Sequence, residues 1–326
     1  MVNSKSVVIL ATGGTIAGTA DHASKAVGYV AAQLGVAQLL AAVPDLAEVA
    51  GGRLQAEQVA QIDSKDMDMA CWLQLARRCK HWLAREDVAA VVITHGTDTL
   101  EETAWFLQLV LAKVAGDKPV VLTCAMRPAT ALMADGPQNL RDAVATAVDA
   151  RARGVLVVAA GQVHSARAVR KVHPYRLDAF SSADAGVLGW VEEAQVRWRQ
   201  LPQWQQWPQL PGGEVASLEA LEQAAEWPWV EMVSSHAAAD GRAVNALLAQ
   251  GVQGLVVAGT GNGTLHHAVE LALQHAVRAG VPVWLSTRCS EGQLVMDAAQ
   301  TPFTPVALSP VKARISLQLA LLAAAD

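Results

Sequence analysis

The sequence predicts a two-domain α/β protein, with a mainly parallel sheet in a larger N-terminal domain and a smaller α/β C-terminal domain. Three observations carry this. Apolar, strand-like runs alternate with helical patterns at the spacing of βαβ units. Two of those runs end in glycine turns that carry threonine, at Gly13-Gly14-Thr15 and at Gly96-Thr97. The alternation then breaks in a stretch rich in proline, glutamine and tryptophan, and starts again. At 326 residues the chain is long enough for two domains and a large core.

Val7–Thr12 is a continuous apolar run stopped by two glycines, the pattern of a buried strand. From Ala17 to Val30 the residues are small and polar with no period, which reads as a functional lid or a disordered loop. A helical pattern covers Val36–Ala42, a strand Leu54–Ile62, and a helix runs from about Asp66 to Leu83. Val88–Thr94 is the next strand. Thr99 and Glu102 have the spacing of a capping box, opening a helix that reaches about Val114. Pro119–Thr123 is a strand, Asn139–Ala152 a helix and Gly154–Ala159 a strand.

Three prolines, two glycines and little charge mark Leu201–Gly213 as a linker, and its tryptophans suggest that it packs on a surface. Beyond it, strands at Val230–Ser234, Leu255–Ala258 and Val281–Ser286 alternate with helices at Ala243–Gln250 and Leu265–Ala279. An amphipathic helix covers Lys312–Ala324. The expected domains are residues 1–200 and 215–326, joined by 201–214.

Composition narrows the function. Apolar residues make up 52% and charged residues 17%, which suits a compact globular chain. A net charge of −5 without a basic run argues against nucleic acid. The N-terminus lacks the apolar core of a signal peptide, and no stretch approaches the ~20 apolar residues of a membrane span, so the expected location is the cytoplasm. Cys71, Cys79, Cys124 and Cys289 lack paired spacing and read as free thiols. The nine histidines form no metal-site spacing; His266 and His267 are adjacent on a helix, where neighbours point apart. No metal or organic cofactor is expected.

Gly13-Gly14-Thr15 lacks the G-x-G-x-x-G spacing of a dinucleotide turn, and Gly259–Gly263 reads as a tight strand-to-helix turn. Asp98 or Thr99 could serve simply as a helix cap. Taken together, however, the two threonine turns place hydroxyls and a carboxylate at the carboxyl ends of parallel strands, where open α/β sheets build their sites. That arrangement suits hydroxyl chemistry on a small polar substrate.

Five motifs in one order make the resemblance specific: Ala11-Thr-Gly-Gly-Thr-Ile-Ala17, Asp63-Ser-Lys-Asp-Met67, Thr94-His-Gly-Thr-Asp-Thr99, Ala125-Met-Arg-Pro128, and Ala134-Asp-Gly-Pro137 with Asn139-Leu140. Gly259–Gly263 adds a sixth. The chain resembles the bacterial-type L-asparaginases, including the mixed asparaginase-glutaminases, over nearly its whole length. The resemblance implies that Thr15 is the nucleophile and that Tyr29, in the lid segment, hydrogen-bonds it. It implies that Thr97, Asp98 and Lys171 form a second cluster assisting proton transfer. Substrate contacts are implied for Gly14, Asp63, Ser64, Gly96, Thr97, Asp98 and Ala125, with Ser64 on the α-carboxylate and Asp98 on the α-ammonium. The implied working form is a homotetramer of tight dimers, each site completed by a partner's C-terminal domain.

The chemistry needs such groups. A carboxamide is a poor electrophile, and an acyl intermediate on a hydroxyl splits its hydrolysis into two easier steps. A threonine hydroxyl needs a proton acceptor, which Tyr29 could relay and a lysine could supply if burial lowered its pKa. Backbone amides, for example at Thr97, could stabilise the oxyanion. Two positions depart from the family pattern. Many members carry an asparagine and a glutamate in the second domain, and those positions fall on Ala238 and Ala299, with Asp297 the nearest carboxylate. The reading is therefore hydrolysis of L-asparagine with minor glutaminase activity; an amidohydrolase for L-glutamine or a D-amino-acid amide, and a non-catalytic asparagine sensor, are its rivals.

Overall fold

A computed structural model describes residues 5–24, 27–112, 114, 116–202, 210–211, 213–297, 299 and 301–325. The chain divides into two compact units, 1–206 and 207–326. Most of the expected linker, residues 203–209 and 212, and with it the packing of its tryptophans, lies outside the described residues.

In chain order the first unit contains β1 (Ser6–Gly13), α1 (Val36–Ala41), α2 (Leu46–Val49), β2 (Leu54–Ile62), α3 (Met69–Leu83), β3 (Val88–Thr94), α4 (Leu100–Leu111) and β4 (Val120–Thr123). It continues through α5 (Gly136–Val148), β5 (Val155–Ala159), β6 (Gln162–Ser165), β7 (Arg170–Lys171), β8 (Phe180–Ser181), β9 (Gly189–Glu192) and β10 (Gln195–Trp198). Eight of these strands form one sheet in the order β10-β9-β6-β5-β4-β3-β1-β2. From β2 through β5 every neighbour is parallel; from β5 to β10 every neighbour is antiparallel. The central strands are apolar because helices cover both faces: Val7, Val8, Ile9 and Leu10 of β1 are all fully buried.

The order of strands places the site. From β1 the chain moves outward to β2, while from β3, on the other side of β1, it moves the opposite way to β4. Their carboxyl ends therefore border a topological switch point, a crevice between connections that diverge.

The second unit contains α6 (Leu218–Gln223), β11 (Val230–Ser234), α7 (Arg242–Ala249), β12 (Gly254–Gly259), α8 (His267–Arg278), β13 (Val283–Thr287), β14 (Thr304–Pro305) and α9 (Pro310–Ala323). Its four strands form a parallel sheet in chain order. The whole is the two-domain α/β architecture expected, with the larger sheet first.

Several local expectations are corrected. Thr99 precedes α4 but makes no capping contact; its hydroxyl donates instead to the Ser64 carbonyl at 2.7 Å, tying two loops together. The α4 helix stops at Leu111, and the Val114 N–H closes a turn onto the Leu111 carbonyl. Helix α5 begins three residues early, with Pro137 in its first turn, and ends at Val148 because Asp149 is extended. The last helix is not amphipathic: Lys312, Ile315, Ser316, Leu317, Gln318 and Leu319 are all buried, so it is enclosed on nearly every side. His266 and His267 do not point apart but stack at 4.6 Å, because His266 caps α8 in an extended conformation outside the helix. Within the segment expected as a lid or loop, Thr19 and Val30 exchange both backbone hydrogen bonds at 2.9 Å. Cys71 and Cys79 share α3, and none of the four cysteines forms a disulfide.

Candidate active site

The two threonine turns meet because glycine lets their backbones touch. Gly14 has φ +78°, and a Cβ there would overlap the Gly96 backbone; a Cβ on Gly96 would lie 2.5 Å from Ser64 Oγ. A side chain at Gly14 would push the turns after β1 and β3 apart, and one at Gly96 would collide with Ser64 in the loop after β2. The Gly14 N–H is held by the Ile62 carbonyl at 2.8 Å, and Thr12 Oγ1 donates to the Thr94 carbonyl at 3.0 Å. The two strand ends and the loop after β2 thus form one assembly.

Thr15 opens a single 3-10 turn, Thr15–Ala17, directly after these glycines and is buried. Its Oγ1 lies 2.6 Å from the Tyr29 hydroxyl, where either atom can donate. Burial raises the pKa of Tyr29; the Thr15 hydrogen bond opposes this, and the nearby Asp63 and Asp98 charges reinforce it. The phenol is neutral at neutral pH and can accept one proton while releasing another.

On the β3 side, Lys171 Nζ donates to Thr97 Oγ1 at 2.8 Å and to Asp98 Oδ1 at 2.6 Å. Lys171 arrives from 74 residues away on the short hairpin β7–β8, and its backbone N–H is held by Glu101 Oε1 at 3.3 Å. An ammonium has donors only, so Thr97 Oγ1 accepts from it and keeps its own proton to give. Thr97 is buried, whereas the Asp98 side chain is 54% exposed and open to a solute. Asp98 also donates its backbone N–H to Ser64 Oγ at 3.2 Å, leaving the Ser64 hydroxyl proton available. Asp63 starts the 3-10 turn Ser64–Asp66, its carboxylate accepting from the Lys65 N–H.

Ala125 is buried just past β4. Sequence reasoning missed what shapes its turn: Asp135 accepts the backbone N–H groups of Met126 and Arg127, both at 2.9 Å, and the Asn139 amide at 3.2 Å. It also missed the ties from this loop to residues 18–23. Ala129 donates to the Gly18 carbonyl at 2.9 Å, the Ala20 N–H donates to Thr130 Oγ1 at 2.8 Å, and Leu132 donates to the Ala23 carbonyl at 2.9 Å. Asp135 next to a Gly-Pro helix start is the one local signal that pointed here. Among the described residues no group of three or more His, Cys, Asp or Glu could hold a metal ion, and no helix is long and apolar enough to cross a membrane.

In the second unit Ala238 has φ +58°, in the left-handed region that asparagine tolerates better than alanine. Asp297 is engaged locally, accepting the Ala299 N–H at 2.9 Å.

At this switch point two buried threonine hydroxyls are each bonded to a group that can exchange a proton, on an α/β sheet. The family model described as asparaginase, N-terminal, matches residues 6–204, and that described as glutaminase/asparaginase C-terminal domain matches 229–326. The chain belongs to the bacterial-type asparaginase/glutaminase family. It is 40% identical over 323 residues to a glutaminase-asparaginase of Pseudomonas fluorescens biotype A, covering 97% of this chain and 86% of that one. It is 40% identical over 322 residues to L-asparaginase 2 of Escherichia coli strain K12, covering 97% and 88%. Among solved structures, a probable cytoplasmic L-asparaginase from Campylobacter jejuni superposes with a TM-score of 0.87 at 36% identity, covering 99% of this chain and 96% of that one.

Proposed function

We propose that this enzyme is an amidohydrolase that converts L-asparagine to L-aspartate and ammonia through a threonine nucleophile, with L-glutamine as a poorer substrate. The observation that carries the reading is the 2.6 Å contact between the Thr15 and Tyr29 hydroxyls at a switch-point crevice. Thr15 Oγ1 attacks the carboxamide carbon; its proton passes to the Tyr29 oxygen as the phenol's own proton moves to the amide nitrogen. The C–N bond breaks, ammonia leaves, and an aspartyl ester on Thr15 remains. Water then attacks that ester, giving aspartate and restoring the hydroxyl.

Thr97, held by the Lys171 ammonium, presents its hydroxyl proton to the reacting groups, while Lys171 is fixed by Asp98. Ser64 takes the substrate's α-carboxylate and Asp98 its α-ammonium, with Gly14, Asp63, Gly96 and Ala125 shaping the remaining walls. We assign this chemistry to residues 1–200 and read 201–214 as linker and 215–326 as the smaller domain, which completes a partner's site in a homotetramer. The protein is placed in the cytoplasm, in line with the description of its Campylobacter jejuni relative.

The two alanines at 238 and 299 favour a second reading, an asparagine sensor that retains the pocket. Ammonia release from L-asparagine, L-glutamine and D-asparagine, measured with Thr15→Ala and Thr97→Ala alongside, separates the two. Release from L-asparagine that both variants abolish supports the enzyme; binding without release supports the sensor.

A further inference from the structure

His95, immediately after β3, is fully buried and hydrogen-bonded at both ring nitrogens. A carbonyl only accepts, so the ring Nδ1, 2.7 Å from the Gly96 carbonyl oxygen, carries the hydrogen. In the neutral ring Nε2 is then an acceptor and takes the hydrogen bond of the Thr103 hydroxyl at 2.9 Å. Thr103 Oγ1 in turn accepts the Trp72 indole N–H at 2.9 Å. Burial drives the imidazole pKa down to about 4, so this neutral tautomer holds throughout the neutral range. The chain is anchored in helix packing: Trp72 on α3 stacks on Phe106 of α4 at 4.9 Å, one turn beyond Thr103.

The peptide this chain grips joins Gly96 to Thr97. Glycine leaves that peptide plane free to rotate, and the close packing on Gly14 and Ser64 excludes a side chain that would restrain it. Among the described residues no peptide is cis, and across a trans peptide C=O and N–H point to opposite sides. Drawing the Gly96 oxygen inward to His95 therefore turns the Thr97 N–H the other way. Among the described residues that N–H has no hydrogen-bond acceptor. We propose that Trp72, Thr103 and His95 form a positioning relay that locks the Gly96–Thr97 peptide so that the Thr97 N–H faces the oxyanion of the acyl-transfer step. None of the three touches substrate. The inference rests on the amidohydrolase reading above and adds to it the residues that orient a donor.

Two substitutions divide the histidine's contacts. His95→Asn places an amide nitrogen where Nδ1 stands, keeping the donor to Gly96; His95→Gln places one near Nε2 and leaves the Gly96 carbonyl ungripped. Losing an aligned oxyanion donor lowers turnover by about 10²- to 10³-fold. With L-asparagine, the expected result for His95→Gln is a kcat loss of about 10²-fold with KM within about threefold. His95→Asn should recover kcat to within about tenfold of the parent, and Thr103→Ser should recover most of what Thr103→Val loses. Thermal melts, read on all four, report the folded fraction against which kcat is scaled. Equal kcat losses in His95→Gln and His95→Asn, or losses confined to KM, would overturn the relay while leaving the enzyme's activity established. A parent protein that releases no ammonia from any amide would overturn the function and the relay together.

Discussion

Replacing Tyr29 with phenylalanine removes one oxygen and little else, and two roles for that oxygen differ by orders of magnitude. If the 2.6 Å contact with Thr15 only ties the lid to the site, its loss removes a neutral hydrogen bond with a net contribution of about 0.5–1.5 kcal/mol. An effect of that size costs at most about tenfold in any rate. If the phenol carries the Thr15 proton, turnover loses general acid–base assistance, about 10²- to 10⁴-fold. The relay reading expects the larger loss in kcat, with a smaller change in KM because Ser64 and Asp98 still hold the substrate's α-groups. Stopped-time ammonia assays across substrate concentration separate kcat from KM, and a thermal melt checks the fold. Turnover within tenfold of the parent would refute the relay.

The second domain offers a gain-of-function counterpart. Ala238 sits at φ +58°, which costs an alanine about 1 kcal/mol, so Ala238→Asn should raise the melting temperature by about a degree or two. Combined with Ala299→Glu it should lower KM for L-asparagine, whereas the parent KM should lie above the micromolar range; a micromolar parent value would contradict the missing-contact argument. Asp142 gives a pH test. Burial lifts its carboxyl pKa to about 6, above the unfolded value, so between roughly pH 4 and 6 the native state binds the extra proton and stability falls as pH rises. Asp142→Asn, which keeps an acceptor for the Gln138 amide, should stabilise by up to about 3 kcal/mol at pH 8, less whatever solvent screening removes, and be close to neutral at pH 3, as read from urea melts; the same gain at both pH values would count against it.

Legibility in the sequence followed burial and chain distance. The strands β1 and β3 and the helix from Met69 to Leu83 could be read locally from continuous apolar runs and a helical period, and β2 from a stretch in which apolar and polar residues interleave. Strands β6, β9 and β10 escaped because each has only four residues and pairs antiparallel on one side of the large sheet, and β7 and β8 because each has two residues and forms a separate hairpin, where no apolar run is required. Thr15 and Thr97 could be placed at strand ends from pattern alone, but Lys171 could not: only tertiary folding brings it 74 residues back onto Thr97, and family resemblance supplied its position. Thr99 misled because a hydroxyl at a helix start satisfies the capping pattern wherever its proton goes, and here it goes to Ser64. The Trp72, Thr103 and His95 contacts left no sequence signal beyond a histidine at the end of a buried strand, since they join two helices and a turn.

The central claim is an aspartyl ester on Thr15, and partitioning with hydroxylamine tests it most directly. L-asparagine and a β-ester of L-aspartate differ in leaving group but would pass through the same acyl-enzyme. In a fixed hydroxylamine concentration both should therefore give the same ratio of β-hydroxamate to aspartate, and Thr15→Ala should give neither product. A ratio that differs between the two substrates, or hydroxamate formation that survives in Thr15→Ala, would contradict the account.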